Sequence, residues 1–149
     1  MAIGLSPHKI DAHGKVTGAA VYPGDIQHDN FLHAKAVFSG QPHARMVSMD
    51  VSSAEAHPGI LAVFTAKDIP LNEYGLTMFD QPVLVGVDGT GRSQIPSDVS
   101  RWEADMIALI VGESAEAVDE ASALLQVEWE QLPILSDIDA ALHLSLIHI

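Results

Sequence analysis

The stretch that most constrains the fold is "MIALIVGESAEAVDEASALLQVEWE", residues 106–130, in which three periodicities follow one another. Its first seven residues are apolar up to a closing glycine and predict a central strand. The apolar side chains that follow recur at helical spacing, with Ser114 as the expected N-cap. "QVEWE" then alternates, which turns Val127 and Trp129 inward from a further strand. We expect this strand–helix–strand unit to organise the domain.

The residues before this unit predict shorter elements. Residues 31–50 hold two stretches with period two, joined by "SGQPH", and predict a β-hairpin. Ser52 and Glu55 have the spacing of a capping box, so a short helix is expected there. "ILAVFT" at 60–65 is typical of a buried strand, and "AKDIP" predicts a helical turn.

Residues 71–100 have a looser pattern, with "QPVLVG" as a possible strand and several glycines beyond it. Loops of this length in compact domains are usually functional or mobile. After residue 130, Ser136 and Asp139 predict a last short helix. The order of elements favours an α+β fold with a mixed sheet, a β-hairpin and two or three helices, since a doubly wound parallel sheet would need more crossover helices.

Composition excludes several classes of protein. The 149 residues suit one domain, and no apolar run approaches the roughly 20 residues that cross a bilayer. "MAIGLSPHK" lacks the apolar core of a secretory signal, so we expect a cytoplasmic protein. The absence of cysteine excludes disulfides, cysteine-ligated zinc or iron–sulfur clusters and a thiolate nucleophile within these residues.

The net charge of -13 is unevenly distributed, because no lysine or arginine follows Arg101. Such a surface repels phosphate backbones and anionic lipids. We therefore expect neither nucleic acid nor a membrane as a partner.

Gly14 and Lys15 resemble part of a phosphate-binding loop, but the rest of that motif is missing. Lys9 stands where the first glycine is needed, and Val16 stands where a hydroxyl residue should contact magnesium. The segment predicts no nucleotide site. We expect Gly18 to allow a turn and "AAVY" to start a strand.

Histidine pairs and acidic pairs are the candidates for metal or acid–base sites. His8 with His13, and His28 with His33, are five residues apart, whereas a shared zinc on a helix needs three or four. Two pairs of acids lie on the polar sides of predicted elements, where a raised pKa is not expected: Asp119 with Glu120, and Glu128 with Glu130. The histidines are predicted to be solvated or locally hydrogen-bonded, and the acids to be solvated surface residues.

The cluster His43-Ala44-Arg45 is the remaining polar feature, and Arg45 could bind an anion or pair with an acid. The acidic excess favours the ion pair. No G-x-S-x-G motif occurs among the serines. The residues thus predict no catalytic, cofactor-binding or metal-binding site in the chain.

Five segments occur in a characteristic order: "DAHGKVTGAAVYPGD", "LHAKAVFSGQPHARMVSMDVSSAEAHPGILAVFTAKDIP", "GLTMFDQPVLVG", "RWEADMIALIVGESAEAVDEA" and "VEWEQLP". Together they resemble the N-terminal α/β-hammerhead domain of the large subunit of xanthine dehydrogenases and aldehyde oxidases. The resemblance covers about residues 6–142. It implies a single hammerhead domain at 1–143, with 144–149 as an atypical tail that reflects a truncated or misread end.

The resemblance also implies a function. Enzymes of this family are molybdenum hydroxylases, which insert a water-derived oxygen into a carbon–hydrogen bond of an aldehyde or aromatic heterocycle. Molybdopterin and the catalytic glutamate belong to segments C-terminal to this domain, and iron–sulfur clusters to another domain or subunit. The chain would be a scaffold and interface fragment, inactive alone, whose partners are those missing parts.

A second hypothesis comes from another class of protein. The acidic chain could be a stand-alone interaction module that uses residues 71–100 as a partner-binding loop. Independent folding would not separate the two hypotheses, since both allow it. The downstream reading frame separates them.

Overall fold

A computed structural model describes residues 4, 6–26, 28–77, 81–87, 89 and 96–143. The chain divides into two compact units, Met1–Phe31 and Leu32–Ile149. The first unit contains helix α1, Ala12–Val16, and a 3₁₀ turn at Pro23–Asp25. Gly18 has φ +74°, which confirms the predicted turn. The strand predicted at "AAVY" is wrong, because those residues are irregular, and α1 was not predicted.

The second unit carries the remaining helices and strands. In chain order they are β1 (His33–Phe38), β2 (Ala44–Asp50), α2 (Ser52–Glu55), β3 (Ile60–Phe64), β4 (Val99–Ser100), β5 (Met106–Gly112), α3 (Ala115–Ser122), β6 (Gln126–Gln131) and α4 (Ile138–His143). A 3₁₀ turn at Ala66–Asp68 confirms the turn predicted at "AKDIP".

The strands form two small antiparallel sheets. Sheet I has the order β1-β5-β3 and sheet II the order β4-β2-β6. β5 is central in sheet I, as its continuous apolar sequence predicted. The α+β class is confirmed, but a single mixed sheet is not what forms, because each pairing is antiparallel and the strands divide into two sheets.

The predicted hairpin over residues 31–50 is wrong, although both of its strands exist. β1 pairs with β5, whereas β2 pairs with β4 and β6. The connecting residues bond elsewhere: the Ser39 N–H donates to Asp105 O at 2.8 Å and the Gly40 N–H to Glu103 O at 2.9 Å. The connection therefore leads from one sheet to the other instead of folding back on itself.

Helix α3 covers one face of sheet I. Val118 and Ala121 of the helix pack with Val63, Ala108 and Ile110 of the sheet in one buried cluster. The predicted cap is confirmed, since the N–H of Ala117 donates to Ser114 Oγ at 3.1 Å. Burial of these apolar side chains stabilises the unit.

A second buried cluster lies at the meeting of the two sheets. It consists of Met46, Val85 and Ile107, with Val127 and Trp129 packed against it. The inward orientation predicted for Val127 and Trp129 is confirmed. Both remain partly accessible, so this cluster is more open than the one beneath α3.

The two short helices form as predicted, but different residues begin them. At α2 the Ser52 capping box is absent, and Asp50 Oδ1 accepts the Ser52 N–H at 2.9 Å. Hydrogen bonds from Ser52 hold the pKa of the Asp50 carboxyl below its ordinary value. The Ser52 side chain has the larger effect on this pKa and the Ser52 backbone the smaller one. At α4, Asp137 Oδ1 rather than Ser136 accepts a helix N–H, that of Ala140, at 2.7 Å.

Within the described ranges, no helix has the length and apolar character needed to cross a bilayer. Residues 144–149, which were expected to form an atypical tail, lie outside the described residues. The domain bounds of 1–143 stay a prediction.

Candidate functional site

A buried side chain, that of Asn72, helps to hold the described part of the 71–100 segment. The Asn72 amide donates to Leu84 O at 2.8 Å and accepts the Leu84 N–H at 2.9 Å. It thus replaces the two backbone bonds that a neighbouring strand would supply. The strand suggested at "QPVLVG" is wrong, because within these described residues only Gln81 pairs in β fashion, through an isolated bridge to Tyr74.

The same segment is tied to the body of the second unit by its backbone. The Val85 N–H donates to Met106 O at 2.7 Å, and the Gly86 N–H donates to Ser97 O at 2.8 Å. Val85 is 1% exposed, and a Cβ at Gly86 would lie 2.5 Å from Ala66 Cβ. These residues are therefore a packed part of the domain.

A buried hydroxyl pair joins the β1–β2 connection to the residues before β5. Ser39 Oγ and Ser100 Oγ lie 2.7 Å apart, and Ser39 also donates to Trp102 O at 3.2 Å. Asp105 Oδ2 accepts the N–H groups of Arg101 and Trp102 at 2.7 and 3.0 Å. A nucleophilic serine needs an adjacent base such as histidine, and the contacts of these hydroxyls include no imidazole in the part of the chain that is described. The network fixes a loop.

The histidine pairs are not brought together into a metal site. His28 stacks on Phe31, with ring centroids 5.5 Å apart. Among the described residues, no group of three or more His, Cys, Asp or Glu side chains could hold a metal ion.

The four acids considered as acid–base groups are exposed, which confirms the surface interpretation. Each has a neighbouring partner: Asp119 with Lys35 at 2.8 Å, Glu120 with His57 at 3.2 Å, Glu128 with Ser48 at 3.3 Å and Glu130 with Arg45 at 3.8 Å. Exposed pairs of this kind contribute little to stability.

Arg45 is used within the domain, as predicted. Its Nε lies 3.6 Å from Asp98 Oδ2, in addition to its contact with Glu130. The neighbouring His43 Nδ1 lies 2.6 Å from Pro133 O. The cluster thus joins β2 to the residues around it and does not present a free guanidinium to an anion.

A phosphorylated pterin of the kind that the resemblance implies does not fit the described cavities. A hollow of about 90 Å³ has one cation, Lys67, in its lining, and the linings of three larger hollows, of about 240, 440 and 650 Å³, contain no lysine or arginine. A phosphate-bearing cofactor needs several cationic or N–H donors around it. We therefore derive no cofactor chemistry from these residues.

What the second unit does present is exposed apolar surface. A groove of about 240 Å³ includes Tyr74, Trp102 and Met106, which are 55%, 66% and 40% exposed. Aromatic residues and methionine are enriched at protein interfaces. No periodic pattern in the sequence marked Tyr74 or Trp102, since both lie in irregular segments.

These features define a class of protein: an α+β module that offers apolar surface for contact and, in its described part, no assembled catalytic cluster. The family model described as "Aldehyde oxidase and xanthine dehydrogenase, a/b hammerhead domain" matches residues 17–133. The chain belongs to this family. The match confirms the resemblance to this family that the sequence motifs indicated, and it confirms the hammerhead fold.

Similar proteins and structures agree with this assignment. A probable xanthine dehydrogenase subunit of Bacillus subtilis (strain 168) is 36% identical over 89% of this chain and 16% of that protein. The nicotinate dehydrogenase large molybdopterin subunit of Eubacterium barkeri is 32% identical over 94% of this chain and 31% of its own length. The structure of quinoline 2-oxidoreductase from Pseudomonas putida 86 superposes with TM-score 0.75 at 30% identity, over 95% of this chain and 18% of that one. The chain thus spans less than a third of each of these proteins.

Proposed function

We propose that this chain is the hammerhead part of the large subunit of a molybdenum hydroxylase that oxidises aldehydes or aromatic heterocycles. The observation that carries the proposal is the family match over residues 17–133. The similarity to a large molybdopterin subunit and to quinoline 2-oxidoreductase supports the same class of enzyme.

Within that enzyme, the chain acts as a scaffold and interface domain bounded by residues 1–143, and it supplies no catalytic, cofactor-binding or metal-binding residue. Three features support this role: the hydroxyl network around Ser39, the internal pairing of Arg45 and the small, cation-poor hollow beside Lys67. Molybdopterin is held by the rest of the subunit and iron–sulfur clusters by another domain or subunit. We place the enzyme in the cytoplasm.

The test is to recover the complete reading frame that contains this sequence and to purify its product. We expect molybdenum and an oxidisable pterin in stoichiometric amounts, together with oxidation of aldehydes or nitrogen heterocycles by an artificial electron acceptor. Cells grown on tungstate instead of molybdate provide the matched control and should yield inactive protein. A complete product that contains no molybdenum and oxidises no substrate of either class would contradict the proposal.

The alternative, a stand-alone acidic interaction module, is favoured by one observation, the exposed groove around Tyr74 and Trp102. The same experiment decides between the two. A native product that ends close to residue 149, and that captures partners without molybdenum or iron–sulfur clusters, would support the module.

A further inference from the structure

The two faces of sheet I differ in what covers them. Cross-strand partners in an antiparallel pair lie on the same face, so Val63, Ala108 and Ile110 share the face that packs against α3. The alternate residues share the opposite face, which we call the outer face: Ala34, Ala36, Ala62, Phe64, Leu109 and Val111.

The outer face has no polar residue, although it is accessible. Phe64 is 41% exposed, Ala34 is exposed, and the other four side chains are partly buried. Antiparallel sheets that have one face in water normally alternate apolar with polar residues. The continuous apolar sequence of β5 breaks this rule and is typical of a strand that is covered on both faces.

The apolar character continues toward the end of the sheet. Phe38 lies two residues beyond Ala36 on β1 and so extends the outer face, and across a register shift it pairs with Met106 of β5. Phe38 is 53% and Met106 is 40% exposed. Met106 also lines the groove beside Trp102, which connects the two apolar surfaces. Contiguous exposed apolar surface on a soluble domain marks a contact site.

We propose that the outer face is the docking surface for the rest of the large subunit, in a permanent contact. This inference rests on the proposed function. This chain covers only 16% and 31% of the two relatives described above, so most of such a subunit is available to cover the face. Permanent interfaces resemble a domain core cut in half, whereas transient ones are as polar as ordinary surface.

A second copy of this chain is a poorer occupant. Each copy has a net charge of -13, so two copies that approach face to face repel each other. A surface elsewhere in the large subunit that carries less negative charge than this chain would repel it less. Charge and apolarity together therefore favour the subunit over a homodimer.

The test uses the absence of cysteine from this chain. Phe64→Cys and Ala34→Cys each place a thiol on the outer face. Glu116→Cys, at an exposed position of α3 on the opposite side of the same sheet, is the matched control. Each variant is made in the 149-residue chain and in the complete gene product, and maleimide labelling at that position is followed by peptide mass spectrometry.

We expect the thiols of Phe64→Cys and Ala34→Cys to react readily in the 149-residue chain and at least about tenfold more slowly in the complete product. The Glu116→Cys thiol should react at similar rates in both. Equal rates at position 64 in the two proteins, or protection already in the 149-residue chain, would overturn the docking proposal. Molybdenum content is measured on the same samples, so a molybdenum-loaded protein with a reactive outer face refutes only the docking proposal. Protection without molybdenum refutes only the proposed enzyme.

Discussion

Asn72 provides the sharpest test of how the 71–100 segment is held. It is 1% exposed, and its amide bonds to both the N–H and the C=O of Leu84, which is 4% exposed. Asn72→Ala leaves the Leu84 N–H and C=O without these partners. Each unpaired buried group costs roughly 1–3 kcal/mol. We therefore expect the free energy of unfolding to fall by about 2–6 kcal/mol.

The assay is guanidinium denaturation of the 149-residue chain, followed by tryptophan fluorescence and analysed as a two-state transition. Asn30→Ala is the matched control, because Asn30 is exposed and its observed hydrogen bond uses its backbone N–H. The control should change the free energy by less than about 0.5 kcal/mol. A loss that small for Asn72→Ala would refute the argument that its amide replaces a neighbouring strand.

Asn72→Asp adds a test of the direction of the hydrogen bonds. A carboxylate can accept the Leu84 N–H but cannot donate to Leu84 O, whereas a protonated carboxyl can donate. Burial raises the pKa of a carboxyl, so this variant should be destabilised at neutral pH and recover stability relative to wild type as the pH falls. If the difference in unfolding free energy between Asn72→Asp and the wild type stays constant from neutral to acidic pH, the assignment of donor and acceptor is contradicted.

Three further predictions concern packing and charge. In urea denaturation, Trp129→Ala should lower the free energy of unfolding by about 2–3 kcal/mol, less than the roughly 3–5 kcal/mol typical of a fully buried aromatic, because Trp129 is only partly buried. A loss below about 0.5 kcal/mol would place the side chain on the surface. Gly112→Ala should destabilise the domain by about 1–3 kcal/mol and lower its Tm, because the new Cβ would lie 2.8 Å from a backbone oxygen and 2.9 Å from an α3 side chain. Gly24→Ala is the control and should leave the Tm unchanged, since its Cβ would meet nothing within 4 Å. In NMR titration, Ser52→Ala should raise the pKa of Asp50 toward its ordinary value, and an unchanged titration would show that the Ser52 side chain is not the cause. In the wild type, the stability that ionised Asp50 contributes above its unfolded-state pKa should be lost as the pH falls through the lower folded-state pKa.

Local signals predicted several elements correctly. β5 and α3 follow from a continuous apolar run, a serine cap and helical spacing, and all three features act within a few residues. The choice of strand partners was not predictable in this way. β1 and β2 have the sequences of a hairpin, but the backbone of their connection bonds to Glu103 and Asp105, which only the folded chain brings near.

The site was predicted in outline rather than in detail. The ordered motifs identified the family, and the residues correctly predicted that Arg45 forms an ion pair. The exposed groove and the outer face were not predicted. A strand sequence such as that of β5 predicts burial on two sides, but it does not say which neighbours share each face.

By itself, the sequence determined the class of fold, the central strand, its capped helix and the family, because each depends on neighbouring residues or on the order of segments. The tertiary structure decided the rest. It divided the strands between two sheets, replaced the strand expected at "QPVLVG" by a segment paired with the Asn72 side chain, and placed six apolar residues on one accessible face. These outcomes depend on contacts between residues far apart in the chain, whose partners are chosen by the packing of the whole domain.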